Sequence, residues 1–276
     1  MSHPITVVDS FSEVPFTGNP AGVCLLTRPT TEAWMAAVAA ELNLAETAFL
    51  VPRPDGDHDL RWFTPETEVE LCGHATLASA HVLGVADGER RFHTRSGVLT
   101  CRAGDDGTIV MDFPAIQVAP VDAPPDFSDA LGVGADRIVG VFAGAGWTLV
   151  EVAEPADVRA ARPSPPDVEA LAPDSAVLLA AAPGDRPGID SVCRVFAPGY
   201  GIDEDPVTGS AHCVLAPWLA ARAEAAGEAG RVAFVGEQAS RRGGIVGMRL
   251  AGDRVELSGR AVTVIEGTLH SDPPAA

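Results

Sequence analysis

Apolar residues recur at two spacings along the chain, and these spacings predict a mixture of helices and strands. Residues 34, 35, 38, 39 and 42 are apolar at helical spacing, which predicts a helix over 32–42, capped by Thr30 or Thr31 and ended by Asn43. A second, shorter helix is predicted over 166–171. Short apolar runs bounded by turn residues predict strands. The predicted strands are 5–9, 23–26, 44–52, 60–65, 90–93, 98–101, 109–113 and 260–267.

One local pattern occurs twice. Gly73 opens a turn that leads directly into a helix of small and apolar residues, and the same order of glycine, polar residue, alanine and apolar residues begins at Gly209, about half the chain further on. Three other segments of the first half recur in the same order in the second half. They are 46–51 and 174–179, 61–65 and 194–198 with the shared pattern R-x-F-x-P, and 97–102 and 244–249. The sequence therefore predicts the duplication of one structural unit.

The repeat predicts two domains, an N-terminal domain over 1–115 and a C-terminal domain over 120–258, joined by the Pro- and Asp-rich segment 114–125. The strand at 260–267 has no counterpart in the repeat. Because a chain end that forms a strand usually completes a sheet, we expect 260–270 to return to the N-terminal domain. Residues 271–276 are predicted to be disordered. If the two glycine turns face each other, an active-site cleft lies between the domains.

Composition and charge restrict the kind of partner. The 276-residue chain is 46% hydrophobic and carries a formal net charge of −19, which argues against nucleic acid or an anionic membrane as a partner. Its five cysteines include no CxxC pair, and no run of about 18 apolar residues is present. We therefore expect a soluble, cytoplasmic protein with reduced thiols.

The two glycine turns are candidate anion-binding sites. A helix N-terminus leaves backbone N–H groups unpaired at the positive end of the helix dipole, which suits a carboxylate. Glycine at 73 and 209 allows close approach, and His74 and Ser210 add side-chain donors. Each turn alone also fits an ordinary helix cap. The pairing of the two turns favours substrate binding.

Two acidic residues are candidates for chemistry. Glu46 begins an apolar strand, where a buried carboxyl group can take up a proton and return it elsewhere. Asp174 occupies the duplicate position next to a proline, so the sequence offers a single candidate base. Asp205 lies in a Pro-stiffened loop just before Gly209. The plainer interpretations are an exposed strand-end glutamate for Glu46 and a solvated acidic loop for Asp205.

Other kinds of chemistry have little support in the sequence. The chain has no nucleotide-binding glycine motif, no HExxH motif and no closely spaced histidine pair, so neither a metal site nor a cofactor is predicted. Cys72 precedes Gly73, where a helix start acidifies a thiol, but Thr208 occupies the matching position before Gly209. A mechanism with two opposed thiols is therefore not available.

Four segments together resemble the PhzF family of phenazine-biosynthesis-like isomerases, which is related to diaminopimelate epimerase and proline racemase. These segments are 16–22 (FTGNPAG), 44–49 (LAETAF), 71–76 (LCGHAT) and 204–211 (EDPVTGSA). The resemblance covers essentially the whole chain. It implies an α+β fold of two similar domains, each a curled mixed sheet around a central helix, with no cofactor and commonly a homodimer.

The resemblance also implies roles for single residues. Glu46 matches the acid/base that moves a proton within dihydro-hydroxyanthranilate in the phenazine enzyme. Gly73, His74, Asp205, Gly209 and Ser210 match the residues that hold the substrate. No role is carried over to the loop with Gln238 and Arg242, where the match is loose.

The expected function is a cofactor-independent isomerase that moves a proton within a small carboxylate-bearing substrate. Two alternatives remain open, a non-catalytic protein that binds small acids and an amino-acid racemase or epimerase that uses Cys72.

Overall fold

A computed structural model describes residues 3–85, 88–124, 126–271 and 274 of the chain. The chain forms two compact units, one comprising 1–112 with 258–276 and the other comprising 113–257.

Unit 1 combines a mixed sheet with two helices. Its helices are α1 (Glu32–Leu42) and α2 (Gly73–Leu83). Its strands are β1 (His3–Ser10), β2 (Asn19–Leu25), β3 (Glu46–Pro52), β4 (His58–Phe63), β5 (Glu68–Val69), β6 (Arg90–Thr94), β7 (Gly97–Ala103), β8 (Ile109–Pro114) and β18 (Ala261–Leu269). Strand β2 pairs with β1 antiparallel and with β3 parallel, and β4 pairs with β3 antiparallel and with β6 parallel.

Helix α2 is the central element of unit 1. Every residue from His74 to Ala80 is buried, and the helix packs against β1, β2, β3 and β18. A helix that is buried around its whole circumference needs such a surrounding sheet. Helix α1 packs on β3 and β4, where Met35 and Val38 join Phe49 and Phe63 in a buried cluster. The sheet therefore has a helix against each of its faces at β3.

Unit 2 contains four helices and a second mixed sheet among its described residues. Its helices are α3 (Phe127–Leu131), α4 (Pro155–Ala160), α5 (Pro165–Leu171) and α6 (Gly209–Ala225). Its strands are β9 (Ala119–Val121), β10 (Ile138–Gly144), β11 (Trp147–Val152), β12 (Ala176–Ala181), β13 (Ser191–Ala197), β14 (Ile202–Asp205), β15 (Ala233–Gln238), β16 (Gly244–Ala251) and β17 (Arg254–Gly259). Helix α6 packs on β15 and β16, and α4 packs on β11, β12 and β13.

The two units share one pattern of strand pairing. In unit 2, β11 pairs with β10 antiparallel and with β12 parallel, and β13 pairs with β12 antiparallel and with β15 parallel. This order repeats that of β1, β2, β3, β4 and β6 in unit 1. The segments that the sequence aligned across the repeat therefore occupy equivalent strands.

The C-terminal strand is not the unmatched element that the sequence suggested. Strand β18 pairs antiparallel with β1, and β9 pairs antiparallel with β10, the equivalent first strand of unit 2. The prediction that the strand at 260–267 lacks a counterpart is therefore wrong. Strand β9 is three residues long and contains Pro120, so it carries no apolar alternation by which the sequence could reveal it.

Local signals predicted some boundaries well. Helix α1 covers the predicted range, and Asn43 ends it in a left-handed conformation with φ 49° and an N–H bond to Ala39. The side chain of Thr31 makes no capping hydrogen bond within the described residues. No helix or strand is predicted over 126–161, where α3, β10, β11 and α4 lie.

The end of the chain is described only in part. The sequence predicts disorder over 271–276. Residues 272, 273, 275 and 276 of that range lie outside the described residues. Where the chain is described, Ser271 accepts a hydrogen bond from Trp34 and the Pro274 carbonyl accepts one from Thr30. None of the helices in the described ranges combines the length and the apolar character that crossing a bilayer requires.

Candidate active site

The first residue of β3 and the second residue of α2 form an ion pair in unit 1. His74 Nε2 lies 3.1 Å from Glu46 Oε2, and the two side chains are only 7% and 13% exposed. Side chains alternate along a strand, so Phe49 joins the cluster under α1 while Glu46 belongs to the opposite face, against which α2 packs. The fold therefore joins two of the residues that the sequence singled out.

Three further side chains fix the position of His74. Ser10 and Asn19 are opposite each other at the ends of β1 and β2. The Ser10 hydroxyl donates to the His74 carbonyl over 2.7 Å, and Asn19 Nδ2 lies 3.3 Å from His74 Nδ1. Cys72 Sγ lies 3.5 Å from the same ring nitrogen. Nδ1 of the imidazole therefore faces Asn19 and Cys72, while Nε2 faces Glu46.

Ser10 and Asn19 were not among the predicted site residues. Asn19 lies in the 16–22 segment that carries the family resemblance, and an amide side chain directly after a glycine turn was a usable signal. Ser10 gave no such signal, because its importance comes from strand pairing across a turn.

The charges at this site depend on one another. Burial alone lowers the pKa of an imidazole, but a hydrogen bond with Cys72 and the negative charge of Glu46 act in the opposite direction, and the pKa of His74 is raised well above its usual value. A positively charged His74 therefore lies against Glu46, the candidate acid/base. The sequence suggested an apolar surrounding for Glu46, whereas the structure places a cationic partner against it.

Cys72 differs from its sequence-based expectation. Burial, with a further contribution from Glu46, raises the pKa of the Cys72 thiol, although a helix start was expected to lower it. Desolvation of the thiolate outweighs the helix dipole here, since Cys72 is only 6% exposed. A thiol that keeps its proton is a poor base, which argues against a racemase that uses Cys72.

The remaining predicted residues surround the start of α6 in unit 2. Gly209 and Ser210 are the first two residues of that helix, and Asp205 is the last residue of β14. The Thr208 hydroxyl donates a short hydrogen bond to the Asp205 carboxylate. The three predicted residues of this unit therefore lie within one loop and the helix start that follows it.

Gln238 organises this loop, a role that the sequence did not reveal. Its side chain is fully buried, accepts a hydrogen bond from Thr208 N over 2.8 Å and donates to the Asp205 carbonyl over 2.7 Å. The amide therefore connects both ends of the segment that delivers α6. A lone glutamine at the end of a strand carries no sequence signal for such a role.

The duplicate of Glu46 does not form a second acid/base site. Asp174, the residue that the sequence matched to Glu46, is exposed and precedes β12. The match is wrong, because Thr47 pairs with Phe63 and Val177 pairs with Phe196, which makes Ala176 the structural counterpart of Glu46. In the same unit, His212 Nδ1 bonds the Thr208 carbonyl over 2.8 Å, and Nε2 has no hydrogen-bond partner in the described part of the chain. Burial lowers the pKa of His212 to about 4. The histidine of α6 is therefore neutral where that of α2 is charged.

Two groups of potential metal ligands occur among the described residues. They are Glu46 with Cys72 and His74, and Asp55 with Asp57 and His93. In the first group His74 is paired with Glu46. In the second, Arg53 binds Asp55 and His93 binds Asp57. The side chains in both groups thus satisfy one another.

A buried carboxylate–imidazole pair at a helix start, in a duplicated mixed-sheet unit, is the arrangement of an acid/base enzyme. The family model for phenazine biosynthesis-like proteins matches residues 8–267. An uncharacterized isomerase of Halalkalibacterium halodurans is 40% identical over 98% of this chain and 99% of its own. A PhzF-family crystal structure from Enterococcus faecalis has a TM-score of 0.89 and 35% identity, covering 98% of this chain and all of that one.

The chain belongs to the phenazine biosynthesis-like (PhzF) family. This membership supports an enzyme of the isomerase class. A probable proline racemase from Agrobacterium radiobacter K84 has the same fold, with a TM-score of 0.59 and 13% identity over 98% of this chain and 94% of that one. The predicted family, the α+β class and the epimerase-like fold are confirmed.

The ion pair predicts how His74 contributes to stability. The pKa of His74 is raised in the folded state. Its contribution to the free energy of unfolding is therefore complete below the unfolded-state pKa near 6.5 and is lost as pH rises through the folded-state pKa. We expect the difference in free energy of unfolding between wild type and His74→Gln to be largest near pH 6 and to shrink toward pH 9. Urea unfolding at several pH values measures it. A difference that grows with pH would contradict the assignment.

His212 predicts the opposite dependence. Its folded pKa is lowered from 6.5 to about 4, so its contribution is complete above pH 6.5 and falls as the solution is acidified toward pH 4. A shift of this size corresponds to about 3 kcal/mol. We expect His212→Gln to remove that part of the acid sensitivity from the urea-unfolding profile. An unchanged slope between pH 6.5 and 4 would show that His212 is not buried as a neutral group.

Proposed function

We propose that this protein is a cofactor-independent isomerase that moves a proton between two carbon atoms of a small carboxylic acid, with Glu46 as its single acid/base. The observation that carries the proposal is the buried ion pair of Glu46 and His74 at the start of α2. Family membership supports the isomerase class, and the residues supply the mechanism.

Glu46 acts first as the base. It is paired with His74, and limited exposure keeps water from competing for the proton. When Glu46 takes a proton from an sp3 carbon, negative charge develops on the substrate while Glu46 becomes neutral. The His74 cation and the backbone N–H groups at the start of α2 then stabilise that charge. Glu46 returns the proton to a second carbon.

Each glycine turn is a candidate site for a carboxylate in this proposal. The N–H groups that begin α2 and α6 are backbone donors of the same kind, and Ser210 adds a hydroxyl donor at α6. Asp205 is held by Thr208 and is a candidate acceptor for a polar substituent on the substrate. We infer that the turn at α2, whose His74 contacts Glu46, holds the reacting carbon near Glu46.

Replacing Glu46 tests the acid/base role. Loss of a positioned acid/base group costs about 10²- to 10⁴-fold in rate, so we expect Glu46→Gln to abolish measurable deuterium exchange while leaving binding nearly intact. Proton NMR in D₂O, with a panel of small cyclic and unsaturated carboxylic acids, measures the exchange. The matched control is Glu66→Gln, at an exposed glutamate of the same unit.

Two outcomes would contradict this role. Exchange that survives in Glu46→Gln removes Glu46 from the reaction. Wild-type protein that binds acids of the panel and exchanges no proton is the behaviour of the non-catalytic alternative.

Benzoate tests carboxylate binding at each glycine turn. It is a small cyclic carboxylate without an sp3 C–H, so it binds without reacting. We expect the backbone amide signals of Gly73 and Gly209 to shift in a proton–nitrogen NMR titration with benzoate, because each glycine opens a helix whose N–H groups attract an anion. The amide of Gly252, in the turn between β16 and β17, serves as the control. An unmoved Gly73 signal would contradict carboxylate binding at the turn beside Glu46.

A further inference from the structure

An arginine–glutamate pair of the same geometry occurs in each unit. In unit 1, Arg61 donates from Nε to Glu68 Oε1 over 2.7 Å and from Nη2 to Oε2 over 2.5 Å. In unit 2, Arg194 donates from Nε to Glu204 Oε1 over 2.7 Å and from Nη2 to Oε2 over 2.9 Å. Both pairs are bidentate, the geometry in which arginine binds a carboxylate most specifically.

An aromatic ring also packs against each guanidinium group. The Arg61 guanidinium lies 5.2 Å from the ring centre of Phe63, and that of Arg194 lies 5.0 Å from that of Phe196. The recurring R-x-F-x-P pattern thus corresponds to a recurring three-part contact. The Glu68 side chain is 5% exposed and the Arg194 side chain is 12% exposed, so both pairs are shielded from the water that weakens surface ion pairs.

Additional bonds anchor each arginine to its own unit. Arg61 Nη2 also reaches Glu32 at the start of α1 over 2.9 Å. Arg194 Nη1 also donates to the Ala161 carbonyl over 2.9 Å, at the end of α4. The guanidinium groups are therefore fixed points, and the glutamates are attached to them.

The place of these glutamates in the chain gives the pairs their significance. Glu68 and Glu204 lie on the short strands β5 and β14, and each precedes the glycine that opens the next helix by five positions. Strand β5 pairs with β4 at two residue pairs, and β14 pairs with β13 at two residue pairs. So short a ladder fixes the direction of a segment poorly, whereas a bidentate ion pair fixes one of its residues in place.

We propose that Arg61–Glu68 and Arg194–Glu204 are positioning pairs that set where the two glycine turns present their N–H groups. The proposal rests on the proposed function, in which those N–H groups bind the substrate carboxylate. Duplication retained the pair together with the turn that it positions. The competing explanation is that the pairs contribute to stability alone.

The experiment compares Glu68→Gln and Glu204→Gln with a matched control. Asp157→Asn breaks another bidentate pair, in which Arg137 donates to Asp157 over 3.0 and 2.8 Å far along the chain from either glycine turn. Three quantities are measured for each protein. They are the Tm, the amide shifts of Gly73 and Gly209 without ligand, and the Kd for benzoate at those two amides.

We expect each glutamate variant to move the ligand-free amide signal of the glycine in its own unit and to raise the Kd for benzoate about tenfold or more, because small displacements of binding groups are costly. The control should lower the Tm without either effect. If a glutamine variant does not fold, Arg61→Lys or Arg194→Lys is measured in its place. Lysine keeps the positive charge and cannot make the bidentate contact.

Two results separate the possible failures. Glutamine variants with a lower Tm, unmoved glycine signals and an unchanged Kd overturn the positioning role. Wild-type protein without any benzoate response at Gly73 and Gly209 overturns the proposed function, and the ligand-free amide signals of the variants then still decide whether the pairs position the turns.

Discussion

The ion pair between Glu46 and His74 is the constraint on which unit 1 depends. Removing two charges from water is unfavourable unless each finds a partner and the remaining polar atoms are satisfied. The partners come from separate parts of the chain, since Glu46 begins β3 and His74 lies in α2, while Ser10 and Asn19 end β1 and begin β2. A slip of one residue in any of these strands would turn a required side chain to the other face of the sheet. The register of three strands and the position of one helix are therefore tied to one pair of charges.

Unit 2 has the same framework without the same electrostatics. Its central helix carries a neutral buried histidine, and the strand position equivalent to Glu46 holds Ala176. What the two units retain in common is the short strand, the arginine–glutamate pair and the glycine that opens the helix. Duplication has thus preserved the geometry of two helix starts while confining the charged acid/base group to one of them.

Local features of this fold were predictable from sequence, and features that arise from packing were not. Asn43 ends α1 because an asparagine tolerates the left-handed conformation, and R-x-F-x-P recurs because the arginine packs over the phenylalanine two residues on. The contact of Glu46 with His74 joins a strand to a helix far along the chain, and no periodicity encodes it. The same is true of Gln238, whose bonds to Asp205 and Thr208 exist only once β15 lies beside β13. The direction of the Cys72 pKa could not be predicted either, because it depends on how deeply the thiol is buried.

The asymmetry of the two units bears on the kind of reaction that they can support. Inverting a stereocentre requires one group that removes a proton and another that supplies one from the opposite side. In unit 2 the residue that matches Cys72 is Thr208, whose hydroxyl is already donated to Asp205, and the residue equivalent to Glu46 is Ala176. Unit 1 offers Glu46, which is paired with His74, while the pKa of the neighbouring Cys72 thiol is raised. A single proton carrier that takes a proton and returns it to the same molecule favours a shift between two carbons over racemisation. The distribution of charge between the duplicated halves therefore supports an isomerase with one base.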